Sequence, residues 1–273
     1  MSAFYHNNKK IHYEVDGEGK PILILNGIMM STKSWDPFMS SLIDHFRVIR
    51  LDMFDQGESA KLEGETYTQD LQVDLIKGLL MHLSIDQIDL VGISYGGEVA
   101  LSFAAKYRRN VRRMVLFNSA PNTNAWLKEI GRGWIEAGKT RNGLAYYQTT
   151  IPVIYSPHYY ERRIDWMENR KKTLVPIFSD PGFLDAMERL TLSAESYDVR
   201  GDLDNITAPT LLISAEEDHL TPEPNQHYLA ERMKNAEWVK IPKTGHASMY
   251  ERPLLFTTFI VGFLDVKETT YAI

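Results

Sequence analysis

The 273-residue sequence contains no cysteine, which excludes disulfide bonds, thiolate metal sites and a cysteine nucleophile. It also lacks a basic surplus: the formal net charge is -6 and the isoelectric point is near 5.8, values that argue against a nucleic-acid partner. No apolar run approaches the roughly 20 residues that cross a bilayer, and residues 1–10 lack the apolar centre of a secretory signal. We therefore expect a cytoplasmic protein without a membrane span.

The chain is long enough for one large α/β domain, or for a core domain that carries an insertion. Short apolar runs bounded by turn residues predict strands at residues 3–6, 10–15, 22–25, 48–51, 88–93, 113–117, 210–214 and 238–241. Helical apolar spacing predicts helices at residues 68–83, 223–233 and 248–264, among others. This alternation predicts a mostly parallel sheet with helices on both faces, which binds ligands at the carboxyl ends of its strands.

Residues 121–205 interrupt the alternation with helices that are broken by glycine and proline and are rich in large aromatic residues. An insertion at the active edge of the sheet would act as a lid, although most of its aromatic residues are expected to pack its own small core. Its basic clusters, one of which contains Arg170, are expected to form a solvated helix face rather than an anion site. We expect a core domain of residues 1–120 and 206–273, ending in a tail from residue 265, and a helical cap of residues 121–205.

The sequence Gly92-Ile93-Ser94-Tyr95-Gly96 leads from a predicted strand into a predicted helix. On such a turn the Ser94 hydroxyl rises above the sheet edge, and the two glycines keep neighbouring side chains out of its way. The first N–H groups of the helix have no intrahelical partner, so they favour an oxyanion on a carbonyl attacked by Ser94. The motif alone leaves open a glycine-rich turn with an incidental serine.

A serine nucleophile needs a base, and the base needs an acid that holds its tautomer. Of the eight histidines, His246 stands out because it lies in a loop just after the last predicted strand. For the acid we favour Asp218 over Glu216 and Glu217, since it lies furthest into the loop after the preceding strand. The chain order is then nucleophile, acid, histidine.

With these residues in place, the chain resembles an α/β-hydrolase fold protein with a serine nucleophile. The resemblance is to the branch that contains carboxylesterases, enol-lactonases, carbon-carbon bond hydrolases and cofactor-free perhydrolases. It covers nearly the whole chain and rests on four separated motifs: Gly92-Ile93-Ser94-Tyr95-Gly96-Gly97, Asp218 with Thr221-Pro222, Gly245-His246 and Glu251-Arg252-Pro253. It implies an eight-stranded, mostly parallel sheet flanked by helices, with residues 121–205 as the variable cap.

The resemblance also implies roles for individual residues. Ser94 would be the nucleophile, His246 the general base and Asp218 its orienter, and the backbone N–H groups of Ile28 and Tyr95 would form the oxyanion hole. The resemblance implies no metal or organic cofactor, and a small-molecule ester or acyl compound as the substrate.

Two segments depart from the family pattern. The pair His-Gly, whose histidine braces the oxyanion loop in the family, is Asn26-Gly27 in this chain. Phe54 and Asp55 stand where the family usually has arginine and glycine. Asp55 could be a specificity residue, but we favour a cap of the local turn.

The leading expectation is a hydrolase of small to medium carboxylic esters that works through an acyl-enzyme. Met29, Trp126, Tyr155 and His158 are expected to line its substrate pocket. A lactonase, a thioesterase or a carbon-carbon hydrolase would use the same three residues. A ligand-sensing protein with slow turnover is the alternative from another functional class.

Overall fold

Eight strands form one sheet in the computed structural model, which describes residues 2–266. The strands are β1 (Ser2–His6), β2 (Lys9–Asp16), β3 (Lys20–Leu25), β4 (Phe46–Leu51), β5 (Ile88–Ile93), β6 (Val111–Phe117), β7 (Thr210–Ala215) and β8 (Ala236–Ile241). Their order across the sheet is β1-β2-β4-β3-β5-β6-β7-β8. The β1–β2 and β2–β4 pairs are antiparallel and the others are parallel, so the predicted mostly parallel sheet is confirmed.

Helices flank this sheet. They are α1 (Met39–Leu42), α2 (Asp70–His82), α3 (Tyr95–Lys106), α4 (Ala125–Lys139), α5 (Gly143–Ile154), α6 (Pro157–Arg162), α7 (Ile164–Ile177), α8 (Pro181–Ser193), α9 (Glu223–Arg232), α10 (Ser248–Glu251) and α11 (Pro253–Leu264). None of the helices within residues 2–266 has the length and apolar composition that crossing a bilayer requires. The predicted tail lies outside the described residues from residue 267 onward.

The core consists of two apolar clusters on opposite faces of the sheet. Leu23 and Leu25 of β3 belong to one cluster, whereas Ile22 and Ile24 belong to the other, because successive side chains of a strand point to opposite faces. Both sets are buried, as expected of a parallel strand that is covered by helices on both sides.

The carboxyl ends of the parallel strands gather the loops that the sequence singles out. β3 ends just before Asn26, β5 just before Ser94, and β7 leads into the loop that contains Asp218. β8 ends at Ile241, shortly before His246. The residues of the predicted site therefore lie in loops at one edge of the sheet, as the strand order predicts.

The closing helix differs from the prediction of one helix over residues 248–264. The structure has two helices, α10 and α11, separated at Arg252, whose backbone is non-helical with φ -135° and ψ 59°. Pro253 explains the break, because proline disfavours the helical conformation in the residue before it.

Helices α4 to α8 lie between β6 and β7, and we call residues 121–205 the helical insertion. Hydrogen bonds tie this insertion to the loop around His246. The Glu251 carboxylate accepts hydrogen bonds from the Ser156 N–H (2.8 Å), the Ser156 hydroxyl (2.6 Å) and the Gly245 N–H (3.1 Å). The Ala247 N–H donates to the Ile154 carbonyl at 3.0 Å. The two segments therefore share one hydrogen-bond network.

Candidate active site

Ser94 lies on the turn between β5 and α3, with φ 53° and ψ -124°. A positive φ is uncommon for a residue with a side chain, and it is tolerated where the surroundings fix the backbone. A Cβ on Gly92 would lie 2.7 Å from the Gly97 Cα, and one on Gly96 would lie 2.3 Å from the Leu25 carbonyl oxygen. The two glycines of the motif thus allow β3, β5 and α3 to approach closely enough to hold this turn.

The Asp218 carboxylate is buried and lies beside the His246 ring, with Oδ2 2.8 Å from Nδ1. The other donors to this carboxylate are the Asn118 amide (2.7 Å), the Thr221 hydroxyl (2.9 Å) and the backbone N–H groups of Leu220 (2.8 Å) and Thr221 (3.0 Å). Each oxygen is therefore fixed by more than one partner, and the orientation of His246 follows from that of Asp218.

Opposing effects act on the pKa of Asp218. Burial alone raises the pKa of this carboxyl, because the charged form loses its water. The charge of His246 and the hydrogen bonds from His246, Thr221 and Asn118 outweigh burial, so the pKa lies below its ordinary value of 3.8. Asp218 is consequently an anion at neutral pH and favours Nδ1–H on His246, which leaves Nε2 as the acceptor.

Ser94 and His246 line the same cavity, which has a volume of about 210 Å³. Ile28 and Tyr95 also line it. Within residues 2–266, neither the Ile28 N–H nor the Tyr95 N–H donates to a backbone or side-chain acceptor. Residues that carry two free N–H donors, a hydroxyl and an imidazole thus line one cavity, and these are the groups that acyl transfer from a carbonyl compound requires.

The comparisons with known proteins extend over most of the chain. Residues 20–253 match the family model described as alpha/beta hydrolase fold. The chain belongs to the α/β-hydrolase family.

Within residues 2–266, no group of three or more histidine, aspartate or glutamate side chains is placed to hold a metal ion.

Three relatives of this α/β-hydrolase have informative names. The chain is 27% identical to "Putative carbamate hydrolase RutD" of Yersinia enterocolitica, over 93% of this chain and 92% of that protein. MGS-M2, an alpha/beta hydrolase enzyme from a Medee basin deep-sea metagenome library, is 55% identical over 100% of both chains, with a TM-score of 0.97. A thermophilic esterase from Thermogutta terrifontis is 27% identical over 94% of this chain and 93% of that chain, with a TM-score of 0.80. The family and these names support hydrolase activity.

Asn26 replaces the family histidine in the loop that carries Ile28. Its side chain is fully buried and donates to the Leu51 carbonyl (2.8 Å) and the Gln56 side chain (3.2 Å), while its oxygen accepts from the Trp35 indole N–H at 2.7 Å. These three bonds join the loop to β4, to the loop after β4 and to the segment before α1. The asparagine therefore braces the loop from inside the core.

The second departure from the family pattern, Phe54 and Asp55, also consists of buried residues. Phe54 is buried in the apolar core, and Asp55 accepts a hydrogen bond at 3.0 Å from the N–H of Leu62, seven residues further along the chain. Asp55 also forms an ion pair with Arg189 of the helical insertion, which the sequence did not predict. Neither Phe54 nor Asp55 lines the cavity.

Of the four predicted pocket residues, Met29 and Tyr155 line the cavity, whereas Trp126 and His158 do not. The Trp126 side chain is 56% exposed, and its indole N–H donates to the His219 carbonyl at 2.7 Å. His158 is half-buried on α6, where its backbone N–H lies 3.4 Å from a Glu217 carboxylate oxygen. The expectation for these two residues is corrected, because α4 and α6 turn their side chains away from the cavity.

Sequence reasoning missed several ionisable residues of the cavity wall, and Glu98 and Arg170 are the two that matter most for the chemistry of the site. Glu98 lies on α3 one helical turn after Ser94, is buried, and accepts a hydrogen bond from the Gln69 amide at 2.9 Å. Burial raises the pKa of Glu98 to about 7, although the Gln69 hydrogen bond and the His246 charge lower it. Glu98 follows Ser94 by four residues, or about one helical turn, and this spacing could have placed it near the serine. Arg170 was assigned to a solvated helix face, and the structure places it on the cavity wall instead.

Proposed function

We propose that the protein is a serine hydrolase that cleaves small to medium carboxylic esters through an acyl-enzyme. The observation that carries the proposal is the 2.8 Å contact between Asp218 and His246, with His246 and Ser94 on the wall of one cavity. The cavity is lined mainly by apolar side chains, which suits the hydrocarbon part of an acyl or alcohol chain.

The proposed reaction has two acyl-transfer steps. Ser94 Oγ attacks the ester carbonyl while His246 takes the hydroxyl proton, and the Ile28 and Tyr95 N–H groups stabilise the oxyanion. The bond from the acyl carbon to the alcohol oxygen then breaks, and His246 gives its proton to the departing alcohol. Water repeats the sequence on the acyl-enzyme, releasing the acid and restoring Ser94. Asp218 stays ionised and orients the imidazole throughout.

We also propose that residues 121–205 form a cap domain over a core of residues 1–120 and 206–273. The insertion contributes Tyr155 to the cavity wall, whereas the sheet edge contributes Ser94 and His246. In this arrangement the insertion excludes bulk water, which strengthens the interactions that stabilise the oxyanion.

The test is steady-state hydrolysis of 4-nitrophenyl esters, from acetate to long acyl chains, by wild type, Ser94→Ala and Ser102→Ala. Ser102 lies on α3 outside the cavity wall, so it controls for the loss of a hydroxyl from the same helix. Fast hydrolysis that disappears only in Ser94→Ala is expected, and the best chain length measures the acyl pocket. Normal turnover by folded Ser94→Ala would overturn the proposal.

A carbamate ester belongs in the same assay, because the name of the RutD relative refers to carbamate hydrolysis. The lactonase, thioesterase and carbon-carbon hydrolase alternatives keep the same three residues. The substrate that the protein hydrolyses fastest distinguishes between them. One slow turnover of every ester by wild type would instead favour the ligand-sensing alternative.

A further inference from the structure

Arg170 of α7 lines the cavity that also contains Ser94 and His246. Its guanidinium carbon lies 4.8 Å from the centre of the Tyr250 ring and 5.9 Å from that of the Trp166 ring. Tyr250 lies on α10, four residues after His246, and it lines the cavity as well. Two aromatic rings therefore hold the guanidinium next to the histidine loop.

The charge of Arg170 has no acidic partner in the described part of the chain. Within residues 2–266, no carboxylate oxygen lies within 4.0 Å of its guanidinium nitrogens. Its Nε is buried and has no hydrogen-bond partner among the described residues, and the phenols of Tyr155 and Tyr250 are the polar groups that face the guanidinium there. These neutral phenols do not balance the positive charge.

Other arginines with little exposure are paired differently. The Arg189 guanidinium binds the Asp55 carboxylate at 2.6 Å, and Arg50 binds Asp16 at 2.8 Å and Asp36 at 2.6 Å. Removing a charge from water is costly unless an opposite charge compensates it. Arg170 lacks that compensation within residues 2–266, and it faces a cavity in which a ligand can provide it.

The other charged groups of the cavity wall do not take this role. Glu98 is directed to the Gln69 amide, and Glu195 is exposed. Arg132 is exposed and pairs with Glu129 at 3.0 Å. Lys128 of α4 is partly buried, as is Arg170, but among residues 2–266 no aromatic ring lies against its ammonium group to hold it in place.

We propose that Arg170 binds a carboxylate carried by the substrate, so that the preferred esters are half-esters of dicarboxylic acids. A planar guanidinium fits a carboxylate through two parallel hydrogen bonds, and its contact with the Tyr250 ring restricts its position before the substrate arrives. The carboxylate is anchored on the helical insertion while the ester group lies at Ser94. This inference rests on the proposed function for turnover, but binding of the anion does not.

The kinetic test compares mono-ethyl esters of dicarboxylic acids, from succinate to suberate, with ethyl esters of the monocarboxylic acids of equal length. A pH-stat follows hydrolysis by wild type, Arg170→Gln, Arg170→Lys and Lys172→Gln. Lys172 is exposed on α7, so its variant removes one positive charge from the same helix outside the cavity.

For the best half-ester, Arg170→Gln is expected to lower kcat/KM about 10- to 100-fold, mainly through KM, since a hydrogen bond to a charged group is lost. The matching neutral ester should change less than about twofold, which also shows that the variant is folded. Arg170→Lys should recover part of the loss, because it keeps the charge but not the planar fork. Lys172→Gln should behave as wild type. Equal losses on charged and neutral esters would overturn the proposal.

A binding measurement separates this inference from the proposed function. Dicarboxylates from succinate to suberate are added to wild type, Ser94→Ala and Arg170→Gln, and the thermal midpoint is recorded. At least one dicarboxylate should raise the midpoint of wild type and Ser94→Ala but not that of Arg170→Gln. This result supports the subsite even if no ester is hydrolysed. The absence of any shift that depends on Arg170 would refute the subsite, whatever the esterase assay shows.

Discussion

Arg189 of the helical insertion forms an ion pair with Asp55 at the sheet edge. The guanidinium donates two hydrogen bonds to the carboxylate, with Nη2 2.6 Å from Oδ1 and Nε 3.1 Å from Oδ2. The Asp55 side chain is completely buried, and it also accepts a hydrogen bond from the Tyr67 hydroxyl at 2.8 Å. The pair joins the loop after β4 to α8 across 134 residues of sequence. The ion pair therefore links the insertion to the core and is largely shielded from solvent.

Replacing Arg189 with methionine should lower the free energy of unfolding by about 3–5 kcal/mol, because it leaves Asp55 as a buried charge without its partner. Arg200→Met is the matched control, since Arg200 makes a two-bond contact with Asp198 on the exposed surface. That variant should be nearly as stable as wild type. Urea unfolding measures both, and equal stabilities for the two variants would contradict the prediction.

Asp218→Asn should lower kcat for ester hydrolysis about 10⁴-fold, because an amide no longer favours the Nδ1–H tautomer of His246. Glu217→Gln is the control within the same loop, and it should keep most of the activity. Steady-state kinetics of the best 4-nitrophenyl ester separates them. A larger loss in Glu217→Gln would move the acid role to Glu217.

Gly96→Ala should destabilise the protein and abolish activity, since the new Cβ would lie 2.3 Å from the Leu25 carbonyl oxygen. Gly133→Ala on α4 is the opposite case, because among residues 2–266 no atom outside its own stretch of helix lies within 4 Å of the added Cβ. That variant should be more stable by about 0.5–1 kcal/mol through helix propensity. Thermal unfolding should show a lower midpoint for the first variant and a higher one for the second. A wild-type midpoint for Gly96→Ala would refute the close approach of α3 and β3.

Glu98→Gln should make stability less dependent on pH. The folded-state pKa of Glu98 is raised to about 7 from an ordinary value of 4.5, so the folded protein keeps a proton that the unfolded chain releases. Wild-type stability therefore falls between about pH 4.5 and pH 7, and the variant avoids this loss. Relative to wild type, Glu98→Gln should gain at most roughly 3 kcal/mol between pH 4.5 and pH 8. Urea unfolding at both pH values measures the gain, and a constant difference would contradict it.

Local sequence patterns predicted the sheet and the loops that carry Ser94, Asp218 and His246. Glycine spacing limits where a tight turn can occur, and strand order brings the loops to one edge. The break at Arg252 also had a local signal in Pro253, which the apolar periodicity of residues 248–264 obscured. These features depend on neighbours in sequence, so they are accessible without the structure.

Local sequence patterns did not predict which side chains of the helical insertion face the cavity. Arg170 and Lys172 belong to one basic run, but successive helical residues point in different directions around the axis, so one faces the cavity and the other faces solvent. Trp126 faces outward for the same reason. Which face of such a helix meets the core depends on tertiary contacts such as that between Asp55 and Arg189, and no short pattern encodes them.

The carboxylate of Glu251 holds Ser156 of the helical insertion and Gly245 beside His246 at the same time. One side chain of the core thus connects the start of α6 with the residue that precedes the proposed base. A displacement of the insertion at this side would break the Ser156 hydrogen bonds or shift Glu251 and, with it, Gly245. Under the proposed mechanism, the placement of the insertion and that of His246 are therefore coupled through a single carboxylate.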